Sequence, residues 1–311
     1  MAPLASMARK EVNCLNKTTI HCKTTAPMFM AGTDKDRPEM RAPSIKGNMR
    51  FIWRAIQRAD DINKLREVEG SVFGNAFGGN STKASDMRIR IEKMNVAKGS
   101  EPMVPHRTLQ EYSGRGPFSG QAIREGGEFD VVITSFADEK THIDFIRLFA
   151  ATCLLYGFGR RSRKGFGTVK IKGFDGIGNT VYPWFAGAAN NLNALSRFGA
   201  EYSYVSETEI AAISAKSPAN YPYIESIRIA GSKGFPENMD IIKQIGMAVH
   251  IYSRKEFLGS ASPRFASSIL LSTAPWNDVD NCCIVTQLYC TNTRIDAEDR
   301  KNFHAELDGR V

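Results

Sequence analysis

Between Lys17 and Phe174 two kinds of hydrophobic periodicity alternate, and their order constrains the fold more than any other feature. "KTTIHCKTTAPMFMAG" alternates β-branched and small residues and stops at Gly32, which predicts a first strand over residues 18–29. After the charged loop "TDKDRPEMRAP", Ser44 reads as a helix N-cap behind Pro43. In "IKGNMRFIWRAIQRA" the residues Ile45, Met49, Ile52, Trp53 and Ile56 cover roughly a third of a helix circumference at about 100° per residue, as a core-facing stripe must. "DMRIRIEKMNV" and "EFDVVITSF" then read as strands, "THIDFIRLFAATCLLYG" as a second helix and "FGTVKIKGF" as a fourth strand. The order βαββαβ implies a ferredoxin-like, RRM-like unit of four antiparallel strands with two helices on one face.

At 311 residues the chain exceeds the usual size of one domain, and 42% hydrophobic content with 24% charge is ordinary for a soluble globular protein. "VFGNAFGGNSTKAS" is rich in turn formers, and residues 97–127 are rich in Pro and Gly, predicting a long loop excursion. Beyond Gly178 come strands in "YPYIESIRIAG", "RFASSILLST" and "NCCIVTQLYC", and helices in "NMDIIKQIGMAVHIYS" and "AEDRKNFHAEL". The expected fold class is therefore α+β, with tandem ferredoxin-like domains over residues 1–178 and 179–311, the second divergent.

The net charge of +8 is unevenly placed: residues 1–175 carry +10 and the remainder −2. A cationic half beside a near-neutral one points to a phosphate polyanion on the first domain and a protein-docking surface on the second. None of the six cysteines stands in a C-x-x-C pair, so neither a metal nor a disulfide framework is expected. "MAPLASMARKEV" has no apolar core of a signal peptide, and the run around "LFAATCLLYGF" falls short of the about 18 residues a membrane helix needs. A cytoplasmic protein with reduced thiols and no membrane partner is the expectation.

"GFGRRSRKGFGTV" packs four glycines around three arginines and a lysine. A dinucleotide fingerprint fails because Ser162 stands where the third glycine belongs, and because the loop follows a helix and precedes a strand. A Walker A loop fails because Gly165 is followed by Phe166. The RRM submotif is matched except at Thr168 and Ile171, where stacking aromatics belong, which favours backbone contact over base recognition. What remains is a glycine-opened run of main-chain N–H groups ringed by Arg160, Arg161, Arg163 and Lys164, suited to a chain of phosphates. The alternative is a solvated basic turn. On the first helix Lys46, Arg50, Arg54 and Arg58 recur every four residues as a cationic flank, beside Gly47 and a dipole that opens at Ser44; a solvated helix face is the alternative there.

"TTAPMFMAG", "PEMRAPSIKGNMRFIWRAI", "VFGNAFGG" and "GFGRRSRKGFGTV" together resemble the RAMP superfamily of CRISPR-associated proteins. The "RFIWRA" continuation and "SPRFASSILL" narrow the resemblance to the subunit-one family of type III-B Cmr effector complexes. The resemblance implies a non-catalytic subunit that binds guide RNA (crRNA) near its 3′ end, works with other Cmr subunits and helps to capture target RNA. It implies RNA contacts at Arg41, Ser44, Lys46, Gly47, Arg50, Arg54, Gly157, Gly159, Arg160, Arg161, Ser162, Arg163, Lys164, Gly165 and Gly167. Base pairing would then supply the sequence recognition.

Superfamily relatives include endoribonucleases, so guide processing or target cleavage is the alternative. Metal-free RNA cleavage needs a base near the 2′-hydroxyl and an acid or cation at the leaving group. Of His21, His106, His142, His250 and His304, only His106, in the long loop beside Arg107, is placed as a base. Asp34 and Asp36 flank Lys35 in the loop after the first strand, where an acidic residue could assist cleavage, with solvated loop charges as the commoner reading. No catalytic residue, metal or cofactor is expected. A general RRM-type binder, stacking bases on Phe166, is a third reading, and Arg107 and Arg115 would be contacts if the long loop reaches RNA.

Overall fold

The computed structural model describes residues 15–75, 83–105, 118–177, 181, 185–213, 221–261, 264–275, 280–289 and 296–311. In the first half, β1 (Asn16–Thr24), α1 (Ala42–Ile56), α2 (Ile62–Phe73), β2 (Met87–Asn95), β3 (Lys98–Pro102), β4 (Ser119–Ile123), β5 (Glu128–Ser135), α3 (Glu139–Leu155) and β6 (Val169–Asp175) follow in order. Strands β2, β5, β1 and β6 form one antiparallel sheet in that order, with His21 opposite Asp130 and Ile20 opposite Val131. The alternation seen in the sequence is real: Ile20, Cys22 and Thr24 face the core, and the residues between them face outward.

Strand β1 stops at Thr24, five residues short of the expectation, because the chain turns away after it. Met28 and Phe29 make single bridges to Ile123 and Arg160 instead of continuing the ladder. Strands β3 and β4 form a separate hairpin inside the 97–127 excursion, whose middle lies outside the described residues together with His106, Arg107 and Arg115. Helix α2 was not foreseen.

The second half holds α4 (Ala188–Leu195), β7 (Tyr202–Ser206), β8 (Glu209–Ala212), β9 (Tyr223–Phe235), α5 (Asn238–Ile251), β10 (Ser260–Ala261), β11 (Arg264–Phe265), β12 (Ile269–Pro275), β13 (Asn281–Tyr289) and α6 (Ala297–Arg310). Its five-stranded antiparallel sheet runs β12, β13, β9, β8, β7. Strands β12 and β13 are buried on both faces along most of their length, which is why their sequences are mostly apolar and lack a polar residue at every second position.

One face of this second sheet, through Ile224, Leu270 and Ile284, joins Ile20, Met49, Ile52 and Phe149 in a single hydrophobic core. Helices α1 and α3 thus pack between the two sheets. The other face, through Leu271 and Val285, packs with Ile241 and Ile245 of α5 and Phe303 and Leu307 of α6. One core is thus shared by the two halves and a second lies wholly within the second half, while the boundary anticipated at residue 178 lies outside the described residues.

Candidate nucleic-acid interface

The glycine-rich segment connects α3 to β6 and is stitched to the stretch that follows β1 and to β12. Arg160 donates its amide hydrogen to the Phe29 carbonyl at 2.9 Å, and Gly167 donates to Pro27 at 3.0 Å. On the other side Gly165 donates to Leu271 at 2.8 Å and Leu271 donates back to Arg163 at 3.2 Å, so the segment lies along the free edge of β12. Phe158 donates to Gly167 at 2.8 Å and closes the turn on itself.

These bonds correct the idea of an open cradle of main-chain N–H groups, since the amides of Phe158, Arg160, Lys164, Gly165 and Gly167 all serve protein carbonyls. The glycines serve close packing instead. A Cβ at Gly157 would lie 2.0 Å from the Phe166 carbonyl oxygen, and one at Gly167 2.0 Å from that of Phe158. Phe166 is 1% exposed and packs on Phe29, with ring centroids 5.3 Å apart, so it offers no stacking platform.

What the loop displays is side chains. Arg160 is exposed. The Arg161 guanidinium lies 5.8 Å from the Phe166 ring centre, while that of Arg163 lies 5.0 Å from the Phe51 ring and donates to the Ser267 carbonyl. Ser162 is buried. The Nζ of Lys164 is buried with no hydrogen-bond partner, and that burial, with repulsion from Arg161 and Arg163, pulls its ammonium down to about 7.

Helix α1 begins at Ala42, with Pro43 in its first turn, where a fixed φ and a missing N–H cost nothing. Ser44 is therefore inside the helix and not its cap. Arg41 holds the cap position without a side-chain bond, and Ser44 donates its amide to the Arg41 carbonyl at 3.0 Å, which leaves less of an anion site at this terminus than expected.

The flank divides. Ser44, Asn48 and Phe51 form the row that meets the loop: Asn48 donates to the Gly157 carbonyl at 3.0 Å, and Phe51 packs on Tyr156 at 5.4 Å. Lys46 turns to β2 and donates to the Met87 carbonyl at 3.2 Å, its ammonium lowered by burial and by Arg50. Arg50 and Arg54 both pair with Glu69 of α2, whose carboxylate is 1% exposed. Arg58 follows the helix end and lies 4.6 Å from the Tyr223 ring. Gly47 faces open space. Asn48, Phe51 and Glu69 were missed from the sequence; the spacing of Asn48 and Phe51 from Ser44 was the available signal.

Two clefts flank the loop. One, about 490 Å³, is lined by Phe29, Gly32, Lys35, Ser44, Gln121, Gly159 and Arg160, among others. The second, about 1030 Å³, lies between the loop and the β10–β11 hairpin. Among the described residues, no carboxylate or histidine lines either. Elsewhere His21 bridges Asp130 at 2.8 Å and Asp175 at 3.0 Å on the outer sheet face, which raises its pKa against the opposing effect of burial. His142 is buried between Thr18 and Ser135, and Asp34 bonds within its own loop to Asp36 and Arg37. No group of three or more His, Cys, Asp or Glu among the described residues is arranged for a metal, and no helix among them is long and apolar enough to cross a membrane.

Residues 21–170 match the model of the RAMP superfamily. The chain is similar to the CRISPR system Cmr subunit Cmr1-1 of Pyrococcus furiosus, 31% identical over 143 residues, which are 44% of this chain and 42% of that one. It is also similar to Cmr1-2 of the same organism, 27% identical over 173 residues, 47% of this chain and 90% of that one. The matched part is thus less than half the length of the first relative. Among solved structures it superposes on Cmr1 from Pyrococcus furiosus in its apo form with a TM-score of 0.57 at 18% identity, over 95% of this chain and 97% of that one. On a chain of the type III-B Cmr-beta complex bound to cognate target RNA the TM-score is 0.56 at 11% identity, over 94% and 98%. At these identities the structural likeness is one of fold.

Proposed function

From a chain that belongs to the RAMP superfamily through its residues 21–170, we propose a non-catalytic guide-RNA-binding subunit of a type III-B Cmr ribonucleoprotein, engaging the guide near its 3′ end in the cytoplasm and helping to capture target RNA. The observation that carries the reading is the loop itself: Arg160, Arg161, Arg163 and Lys164 are held on a braced turn between two clefts whose described lining residues include no carboxylate. Such a surface attracts phosphates and reads no base edge. Ser44 shares a cleft with Arg160, which supports a joint role for α1 and the loop. The strand order β2, β5, β1, β6 supports a ferredoxin-like first unit, and we read the second sheet as its divergent counterpart.

The test is titration of the full chain with a guide RNA over a salt series. Replacing Arg160, Arg161 and Arg163 together by Ala is expected to weaken binding to any sequence equally and to lower the slope of log K against log salt by roughly 2, at about 0.7 per lost phosphate contact. Unchanged affinity and slope would sink the reading.

A further inference from the structure

The larger of the two clefts is walled by Lys164, whose Nζ is buried without a hydrogen-bond partner. Arg161, Ser162, Arg163 and Lys164 form one wall, and Leu258, Gly259, Ser260, Phe265, Ala266 and Ser267 of the second half form the other. The cavity, about 1030 Å³, is of nucleotide size. Lys164 retains some exposure along its stem, but its Nζ has none and meets no hydrogen-bond acceptor. A buried ammonium without a counter-charge is costly and persists where something else supplies that charge.

We propose that this cavity is an anion site that takes a phosphate group of the RNA strand, with Lys164 as its buried ligand and the β10–β11 hairpin of the near-neutral half as its second wall. The inference rests on the RNA-binding reading and goes beyond it in giving the second half a share of the RNA surface. The groups facing Lys164 are consistent with that. From its own loop come Arg161 and Arg163, both cations. The cavity wall at 258–260 and 265–267 contributes no titratable group, and α3 contributes only Tyr156 beyond its last turn. Helix α5 reaches the neighbouring Gly165 through Ile242 and Ile245, and β12 meets the loop through the Leu271 backbone. Among the described residues, the charges acting on Lys164 are positive, so an anion is the missing partner.

A proton should accompany the phosphate. In the empty site burial brings the Lys164 ammonium to about 7, and a bound phosphate would raise it again. The bound state therefore holds more protons than the free state above that pH. Affinity is expected to be level below pH about 7 and to fall as pH rises through it, by up to about tenfold per unit.

The experiment is a fluorescence-anisotropy titration of the full chain with a short adenine–cytosine RNA, whose bases do not titrate between pH 6 and 9, with a 3′-phosphate or a 3′-hydroxyl. Wild type should lose affinity above pH 7. Lys164→Met should bind about tenfold or more weakly at pH 6.5 with a level profile, and Lys164→Arg should bind well with a level profile. Dependence on the 3′-phosphate would assign the site to the strand end, and indifference to it would assign it to the chain of phosphodiesters. A level wild-type profile with Lys164→Met binding normally, while Arg160→Ala still weakens binding, would overturn the cavity site and leave the RNA reading standing. If no RNA binds at any pH, the RNA reading falls. Sulfate at matched ionic strength then decides the rest: a thermal stabilisation lost in Lys164→Met keeps the anion site without RNA, and no stabilisation rejects it.

Discussion

Gly157 and Gly167 interlock at the base of the basic loop, each facing the backbone that carries the other's neighbour. Gly157→Ala or Gly167→Ala must push a carbonyl away and is expected to cost at least about 2 kcal/mol, measured by urea denaturation. Gly47, alone in open space on α1, should behave in the opposite way: Gly47→Ala is expected to stabilise by about 0.5–1 kcal/mol through helix propensity. If Gly47 lets a phosphate approach the helix, the same variant binds RNA more weakly while melting higher. The glycines were legible in the sequence as a motif, but not their use. The acceptors of the Arg160, Gly165 and Gly167 amides, Phe29, Leu271 and Pro27, come from distant segments that no local pattern brings near.

Helix α1 was legible because its apolar stripe is complete; α2 was not, because its stripe is broken by a charge. Leu65 and Phe73 fall on one row, and Glu69 stands between them at a buried position that periodicity assigns to an apolar residue. Its burial makes sense only beside Arg50 and Arg54, which stay 47% and 42% exposed along their side chains. Replacing both arginines by Ala strands a carboxylate in the core and is expected to cost about 3–5 kcal/mol. Glu69→Gln should cost only about 1 kcal/mol, since the arginines can turn to water. The difference in denaturation midpoints checks the order. Releasing the two guanidiniums is also expected to raise the affinity for RNA, so a double Arg variant that loses binding must be compared with its own stability before contact is inferred.

On the scale of the whole molecule, the helices of the first sheet are also the helices of the second. Calorimetry is therefore expected to show a single unfolding transition, and residues 1–177 alone should not fold, having lost the cover over Met49, Ile52 and Phe149. The sequence showed two runs of strands and helices but not this sharing, because a stripe that meets two sheets looks the same as one that meets one. The basic loop has a second consequence through its place on β12. By pairing with Leu271 it caps a strand, "ILLSTAP", that is apolar over most of its length and would otherwise present an open edge. Excising the loop would unmask a sticky template for other copies of the chain, and such a deletion would be lost to aggregation before its RNA binding were measured. Point changes at Arg160 leave that shield in place.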